Sequence, residues 1–374
     1  MENNNSIYSL YYKWWKNIDK FIFSLIILLF VTGLFFSLVS TSLLVSDKLN
    51  TNDYTFFFKH LTFVFLGLII IFFLSSINDE KLFKISPIIF LLSLITLFLV
   101  PIIGVEVNSA KRWIDLQFLP RFQPIELVKP FLIILISLIL SSEKYTNLYF
   151  KYLFSFLITL VIGLLLAAQP DIGQTLLVFF SWSVLIFISG INIIFLIISC
   201  LILSVALYFL IKFVPKFEYI KNRILSFFNS ETGTHNAQSE KAIDSITSGG
   251  YFGKGIGEGT LKNRVPEAHT DYIISVISEE FGVIAIILIL LMFLIFIYSV
   301  FKKVYLENKE RTKLILVGCT SLILVQAMIH IGVNIRLFPT TGMTLPFISY
   351  GGSSIISISI LSGIILNLTK RKID

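Results

Sequence analysis

This sequence predicts an all-α polytopic membrane protein, with about ten transmembrane helices and one large extracytoplasmic loop. Three observations carry that prediction. Of 374 residues, 56% are apolar and only 14% are charged, whereas soluble domains carry about 25% charge. The apolar surplus runs along the whole chain and falls into stretches near the ~20 residues that cross a bilayer. Those stretches show no period-two alternation, which argues for helices against a membrane β-barrel. A soluble enzyme, a disordered chain, a collagen and a coiled coil are excluded by the same composition. Cys200 and Cys319 lie inside apolar runs and the four histidines form no H-E-x-x-H pattern. A disulfide framework and a zinc enzyme are therefore not expected, and no nucleic-acid partner is expected.

The chain reads as one membrane domain. Residues 1–20 form a short basic cytoplasmic segment. The first span, residues 21–45, is too long for a cleaved signal and no A-x-A site follows it, so it reads as an uncleaved anchor. Spans follow at 61–77, 85–103 and 125–140. Residues 152–214 are almost continuously apolar. Two turn signals, Gln169-Pro170-Asp171 and Gly190-Ile191-Asn192, divide them into spans at 152–168, 172–189 and 191–214. Residues 215–271 form the single long loop. Spans at 272–301, 314–335 and 345–368 and a cytoplasmic tail at 369–374 complete the chain.

Lysine and arginine set the sidedness. With the N-terminus inside, fifteen of the thirty cations fall on inner segments. Only seven fall on short outer segments or span ends: Lys48, Lys59, Lys111, Arg112, Arg121, Lys129 and Arg336. Both termini are thus expected in the cytoplasm. The outer cations are either ordinary solvated loop charge or an anion site, and several stand at span ends beside carboxylates.

No nucleotide motif is credible. The run Gly253-Lys254-Gly255-Ile256-Gly257-Glu258-Gly259 follows no strand and reads as a flexible loop turn, whose glycines let backbone pass close to a membrane surface. Ser141-Ser142-Glu143-Lys144 matches S-x-x-K but lacks its K-T-G partner. The strongest site signal is Pro266-Glu267-Ala268-His269-Thr270-Asp271, just before a span. Asp271 there is either a helix cap favoured by the dipole or a functional acid in a polar cluster with His269 and Arg264. Glu126 and Lys129, at i and i+3, share a helix face. Ionisable groups at membrane depth face a cavity or each other, so they are a structural pair or part of a site. Asp171, and at most one of Glu279 and Glu280, complete the set.

These residues resemble the SEDS family (shape, elongation, division and sporulation) of polytopic peptidoglycan glycosyltransferases. The resemblance covers nearly the whole chain in order. It runs through Asn108-Ser109-Ala110-Lys111-Arg112-Trp113-Ile114, Phe122-Gln123-Pro124-Ile125-Glu126-Leu127-Val128-Lys129, Gln169-Pro170-Asp171-Ile172-Gly173 and Gln238-Ser239. It continues through the glycine run and Pro266 to Asp271, and ends in Pro339-Thr340-Thr341-Gly342-Met343-Thr344-Leu345-Pro346-Phe347-Ile348-Ser349-Tyr350-Gly351-Gly352-Ser353-Ser354. The wording at Ala268 and at residues 341–344 is nearer the division branch than the elongation branch. Ile125 departs from the family pattern, which has a small serine there.

The resemblance implies ten spans and polymerisation of lipid II, the undecaprenyl-diphosphate-linked disaccharide-pentapeptide, with Asp271 as the essential acid. Lys59, Lys111, Arg112, Glu126, Lys129, Asp171, Arg264, His269, Thr270, Arg336 and Ser349 are the substrate-binding candidates. Elementary chemistry agrees. A diphosphate leaves as a stable anion, so the site needs cations for the developing charge and one base for the attacking hydroxyl. A glycosidase, by contrast, needs two carboxylates because its leaving group must be protonated. A divalent cation, Mg or Mn, could supplement the lysines and arginines, but the sequence shows no site for one. A lipid II flippase and a scaffold that only anchors a partner enzyme are the alternatives. The spans and short loops leave no room for a transpeptidase domain, and S-D-N and K-T-G are absent. A class B penicillin-binding transpeptidase and other divisome membrane proteins are therefore the partners implied, at the septum of a bacterial cytoplasmic membrane.

Overall fold

The computed structural model describes residues 7–41, 54–107, 110–116, 120–143, 147–214, 217–228, 234–260 and 267–370. A short helix, α1 (Ile7–Asn17), leads into α2 (Lys20–Thr41), α3 (Thr55–Ser76) and α4 (Asp79–Ile103). A hairpin of β1 (Val105–Val107) and β2 (Ala110–Trp113) connects α4 to α5 (Pro124–Leu140). Then come α6 (Leu148–Ala168), α7 (Ile172–Ile188) and α8 (Ile193–Phe213). The long loop carries α9 (Glu218–Phe228) and α10 (Thr234–Gly249), and α11 (Ile273–Leu306), α12 (Glu310–Asn334) and α13 (Gly352–Thr369) follow.

Every expected span has its helix. Eight of these helices are long and apolar enough to cross a membrane. The other two, α5 and α7, have 17 residues each, or about 26 Å at 1.5 Å per residue. They are shorter because both begin inside the bundle, at a cavity. Pro124 at the first helical position starts α5 without sacrificing a helical hydrogen bond. The Asp171 side chain caps α7 by accepting from Gln174 N–H at 3.3 Å.

The core is centred on α5, α12 and α13, which are buried almost all round. In α13 a run of buried serines, Ser353, Ser354, Ser357, Ser359 and Ser362, keeps the helix narrow. Its partner α3 closes on it so tightly that a Cβ at Gly67 would meet Ser359 Oγ at 2.3 Å. Small residues at such a contact gain van der Waals packing that lipid cannot supply. By contrast α8 stands at the rim, its apolar side chains exposed around the helix.

Three features depart from the sequence reading. The last helix begins at Gly352, not at residue 345. Residues 335–351 instead run as irregular backbone, with positive φ at Arg336, Gly342 and Phe347. Non-helical backbone at membrane depth is tolerated only where protein or a cavity receives its polar groups. Here Phe347 is locked among Phe30, Phe293 and Phe296, at centroid distances of 5.1 to 6.3 Å. The second departure is a break in α11 at Gly282, where φ is 75°. The third is that Lys254 and Gly255 of the glycine run, with Gly250 and Tyr251 just before it, are hydrogen-bonded into that break.

Candidate active site

A cavity of about 1750 Å³ opens at the end of the bundle that carries the long loop. Its wall is made largely of helix beginnings. The N-cap residues of α3, α5, α7, α11 and α13, namely Tyr54, Gln123, Asp171, Tyr272 and Gly351, all line it. Of these five, Asp171 alone caps its helix with its own side chain. Helix N-termini carry partial positive charge and amide donors, a ready receptor for an anion. Lys59, Arg112, Arg121 and Arg223 add side-chain cations to the same wall.

Asp271 sits two residues ahead of α11, with its carboxylate on the cavity. A Cβ added to Gly342 would lie 3.5 Å from its Oδ2, so the irregular 340s pass directly beside it. The backbone holding it is pinned twice. Asp271 N–H donates to the Glu267 carbonyl at 3.1 Å, and Asn334 Nδ2 donates to the Asp271 carbonyl at 3.0 Å. Behind it α10 packs along α11, with Ala242, Tyr272 and Val333 in one apolar cluster. Its carboxyl is pushed up to about 8, first by withdrawal from water in the cavity wall and then by the Glu267 carboxylate, which hydrogen-bonds to it. Arg223 opposes that shift. A carboxyl tuned toward neutrality is suited to accept a proton during reaction.

A chain of polar contacts descends from the cavity between the helices. Arg112 stands 3.7 Å from the Asp171 carboxylate and also donates to the carbonyls of Gln169 and Pro170. Gln123 Nε2 donates to Asp171 Oδ2 at 3.0 Å. Gln174 Nε2 donates to Glu126 Oε1 at 2.9 Å, and buried Lys129 Nζ reaches both oxygens of Glu126 at 2.9 Å. Lys129 is also 3.5 Å from Gln326 Oε1, whose amide donates to the Thr344 carbonyl at 3.1 Å and to Ser354 Oγ at 3.3 Å. The α5, α7, α12 and α13 faces are thereby tied together under the cavity floor. A low-dielectric network of this kind fixes one geometry because each broken link leaves an unsatisfied buried group.

Among the sequence candidates, Lys59, Arg112, Glu126, Asp171, Thr270 and Asp271 line the cavity. Lys129 lies beneath it, fully buried. His269, Arg336, Ser349 and Lys111 do not line it. The His269 ring packs on Phe56 and Tyr350, at 4.8 and 6.3 Å, and burial lowers its pKa. Arg336 pairs with Glu240 at 3.7 Å. Ser349 Oγ accepts from Leu345 N–H at 2.9 Å and so shapes the irregular segment. Lys111 is exposed on β2, opposite Glu106. Arg264 lies outside the described residues. Neither Glu279 nor Glu280 faces the cavity; Glu279 is buried and paired with Lys254 at 3.4 Å.

Sequence reasoning missed Arg223, Glu267, Gln123, Gln174 and Gln326 as site members. Glu267 is inside the marked motif, and Arg223 lies in the long loop, where no motif marks it. Among the described residues no three of His, Cys, Asp and Glu converge. They do not by themselves make a cage for Mg or Mn.

The model for the cell cycle protein family of FtsW, RodA and SpoVE matches residues 19–373. A probable peptidoglycan glycosyltransferase FtsW of Caulobacter vibrioides is 31% identical over 96% of this chain and 91% of its own length. Its namesake in Haemophilus influenzae is 32% identical over 94% and 90%. Among solved structures, the rod shape determining protein RodA of Thermus thermophilus superposes with a TM-score of 0.69 at 25% identity, covering 94% of this chain and 96% of that one. A chain from a peptidoglycan synthase complex, described for its coordination of polymerization and crosslinking, gives 0.76 at 23% identity, covering 94% and 97%.

Proposed function

The chain belongs to the FtsW, RodA and SpoVE family of cell cycle proteins, and we propose that its cavity polymerises lipid II into glycan strands as a peptidoglycan glycosyltransferase. The observation that carries this reading is the meeting, in one cavity, of five helix N-termini, four cationic side chains and a single pKa-raised aspartate. That inventory matches a reaction whose leaving group is a diphosphate and whose nucleophile is a sugar hydroxyl.

In this reaction the acceptor hydroxyl oxygen attacks C1 of the donor sugar. Asp271 takes the hydroxyl proton as the new C–O bond forms. The bond from C1 to the phosphate oxygen breaks, and its electron pair leaves with the lipid diphosphate. Arg112, Arg223 and the uncapped N-termini of α3, α5 and α13 hold the charge that appears there. Lys59, at the start of α3, stands 5.8 Å from the Phe56 ring, its ammonium placed on the rim. Glu126, neutralised by Lys129 and held by Gln174, orients the floor without adding net charge.

Several features belong to the same proposal. Both termini lie in the cytoplasm and the long loop outside, because the lysine and arginine bias demands it. The FtsW naming of the relatives supports a role at the division septum. A transpeptidase of the class B penicillin-binding type is the partner, because these 374 residues carry no S-x-x-K, S-D-N and K-T-G set. The test is to supply purified chain in detergent with lipid II alone and to look for polymer. Transport of lipid II across vesicles without any polymer would favour a flippase instead.

A further inference from the structure

The glycine run and the break in α11 form one device. In an unbroken helix the carbonyls of Glu279 and Glu280 would accept from the amides of Val283 and Ile284. The break at Gly282 separates those four groups, and the loop takes all of them. Lys254 N–H donates to the Glu279 carbonyl at 2.9 Å and Gly255 N–H to the Glu280 carbonyl at 3.0 Å. Val283 N–H donates to the Gly250 carbonyl at 3.0 Å and Ile284 N–H to the Tyr251 carbonyl at 3.3 Å. Glycine is required where the two backbones meet. A Cβ at Gly253 would sit 2.1 Å from the Glu280 carbonyl oxygen, and one at Gly282 would sit 2.2 Å from that of Tyr251.

This stitched segment presents a spike of apolar side chains. Tyr251 is 77% exposed, Phe252 83% and Ile256 64%. Its depth follows from length. The twenty residues from Gly282 to the lysine pair at Lys302 and Lys303 span about 30 Å of helix, one hydrocarbon thickness. The break therefore lies at the hydrocarbon boundary on the long-loop side. Below it the exposed apolar face of α11 continues without interruption through Val283, Ile284, Ile287 and Leu288. Tyrosine, phenylalanine and a neighbouring lysine are the composition of an interfacial anchor.

We propose that Tyr251, Phe252 and Ile256 seat this loop in the lipid interface, continuous with the lipid-facing side of α11. The occupant of the patch is the bilayer, not a protein. The seat fixes the height of the arm from Ile273 to Phe281 above the membrane, and so of Asp271; that consequence rests on the proposed function, whereas the lipid contact does not.

The full chain carrying Phe252→Trp, and separately Ile256→Trp, is placed in nanodiscs of phosphatidylglycerol and phosphatidylcholine, so that both faces are open to solvent. Emission of the added tryptophan is taken as the difference from wild type, with bromine-labelled phosphatidylcholine as one quencher and iodide as the other. Seating in the interface gives a blue-shifted added emission, quenched by lipids brominated high on the acyl chain and little affected by iodide. An added emission quenched by iodide and not by brominated lipid overturns the proposal, because the loop then stands in water. Protection from both quenchers also overturns it, because protein then covers the patch. Either result is obtained without lipid II and is independent of polymerase activity.

Discussion

The Lys129 ammonium is fully buried, 2.9 Å from both oxygens of Glu126. Lys129→Met removes that charge and leaves the carboxylate with Gln174 Nε2 as its hydrogen-bond donor. Breaking a buried pair from one side costs about 3–5 kcal/mol, because the surviving charge is stranded. Replacing both, as Glu126→Leu with Lys129→Met, removes the stranded charge. It leaves the Gln174 amide without its acceptor, at about 1–3 kcal/mol. The double variant is therefore expected to be more stable than Lys129→Met by about 2 kcal/mol. The assay is a double-mutant cycle by reversible unfolding in mixed detergent micelles, with polymerisation of lipid II measured on each folded variant. Glu126 lines the cavity, so the double variant should be folded and inactive. A double variant no more stable than the single one would refute the reasoning about the stranded charge. A stable and fully active double variant would return the pair to a purely structural role.

The raised Asp271 carboxyl makes the rate depend on pH. The base is deprotonated above its pKa, near 8, so initial rates should climb with pH across neutrality. Glu267→Gln removes the second cause of the shift and leaves burial, so that limb should move to lower pH; an unmoved limb contradicts the coupling. Gly282→Ala places a side chain at φ 75° against the Tyr251 carbonyl. With ψ at −178° that backbone conformation is essentially reserved for glycine and costs any other residue about 1–3 kcal/mol, and displacing the Val283 and Ile284 hydrogen bonds to the loop adds about 1 kcal/mol each. Faster proteolysis within residues 250–260 should report it. In a Cys200→Ser background, Thr260→Cys should react with an impermeant maleimide on spheroplasts and Asn308→Cys should not; the reverse labelling would invert the topology.

Hydropathy found each long helix because twenty consecutive apolar residues have few alternatives to crossing a bilayer. It misplaced the start of α13 because Leu345, Pro346, Phe347 and Ile348 are as apolar as a span, yet they run as irregular backbone packed into the core. It could not find the break at Gly282, since apolar residues continue on both sides and φ leaves no mark in composition. Asp271 was legible because an acid just ahead of an apolar run stands out. The glutamines were not, since Gln123, Gln174 and Gln326 carry no charge and earn their place only from partners on other helices. Lys129 was counted among the cations of one membrane side, but Glu126, three residues earlier on the same helix face, draws it into the core. The anion-receptive helix ends are a property of convergence in space, which a linear pattern does not contain.

The most direct measurement is lipid II polymerisation by the purified chain, wild type against Asp271→Asn, at equal folded concentration and at a pH above 8. A general base at this position predicts a loss of about 10²–10⁴-fold in rate with unchanged unfolding behaviour. Polymer at a near-normal rate from the folded asparagine variant would contradict the assignment of Asp271 as the base.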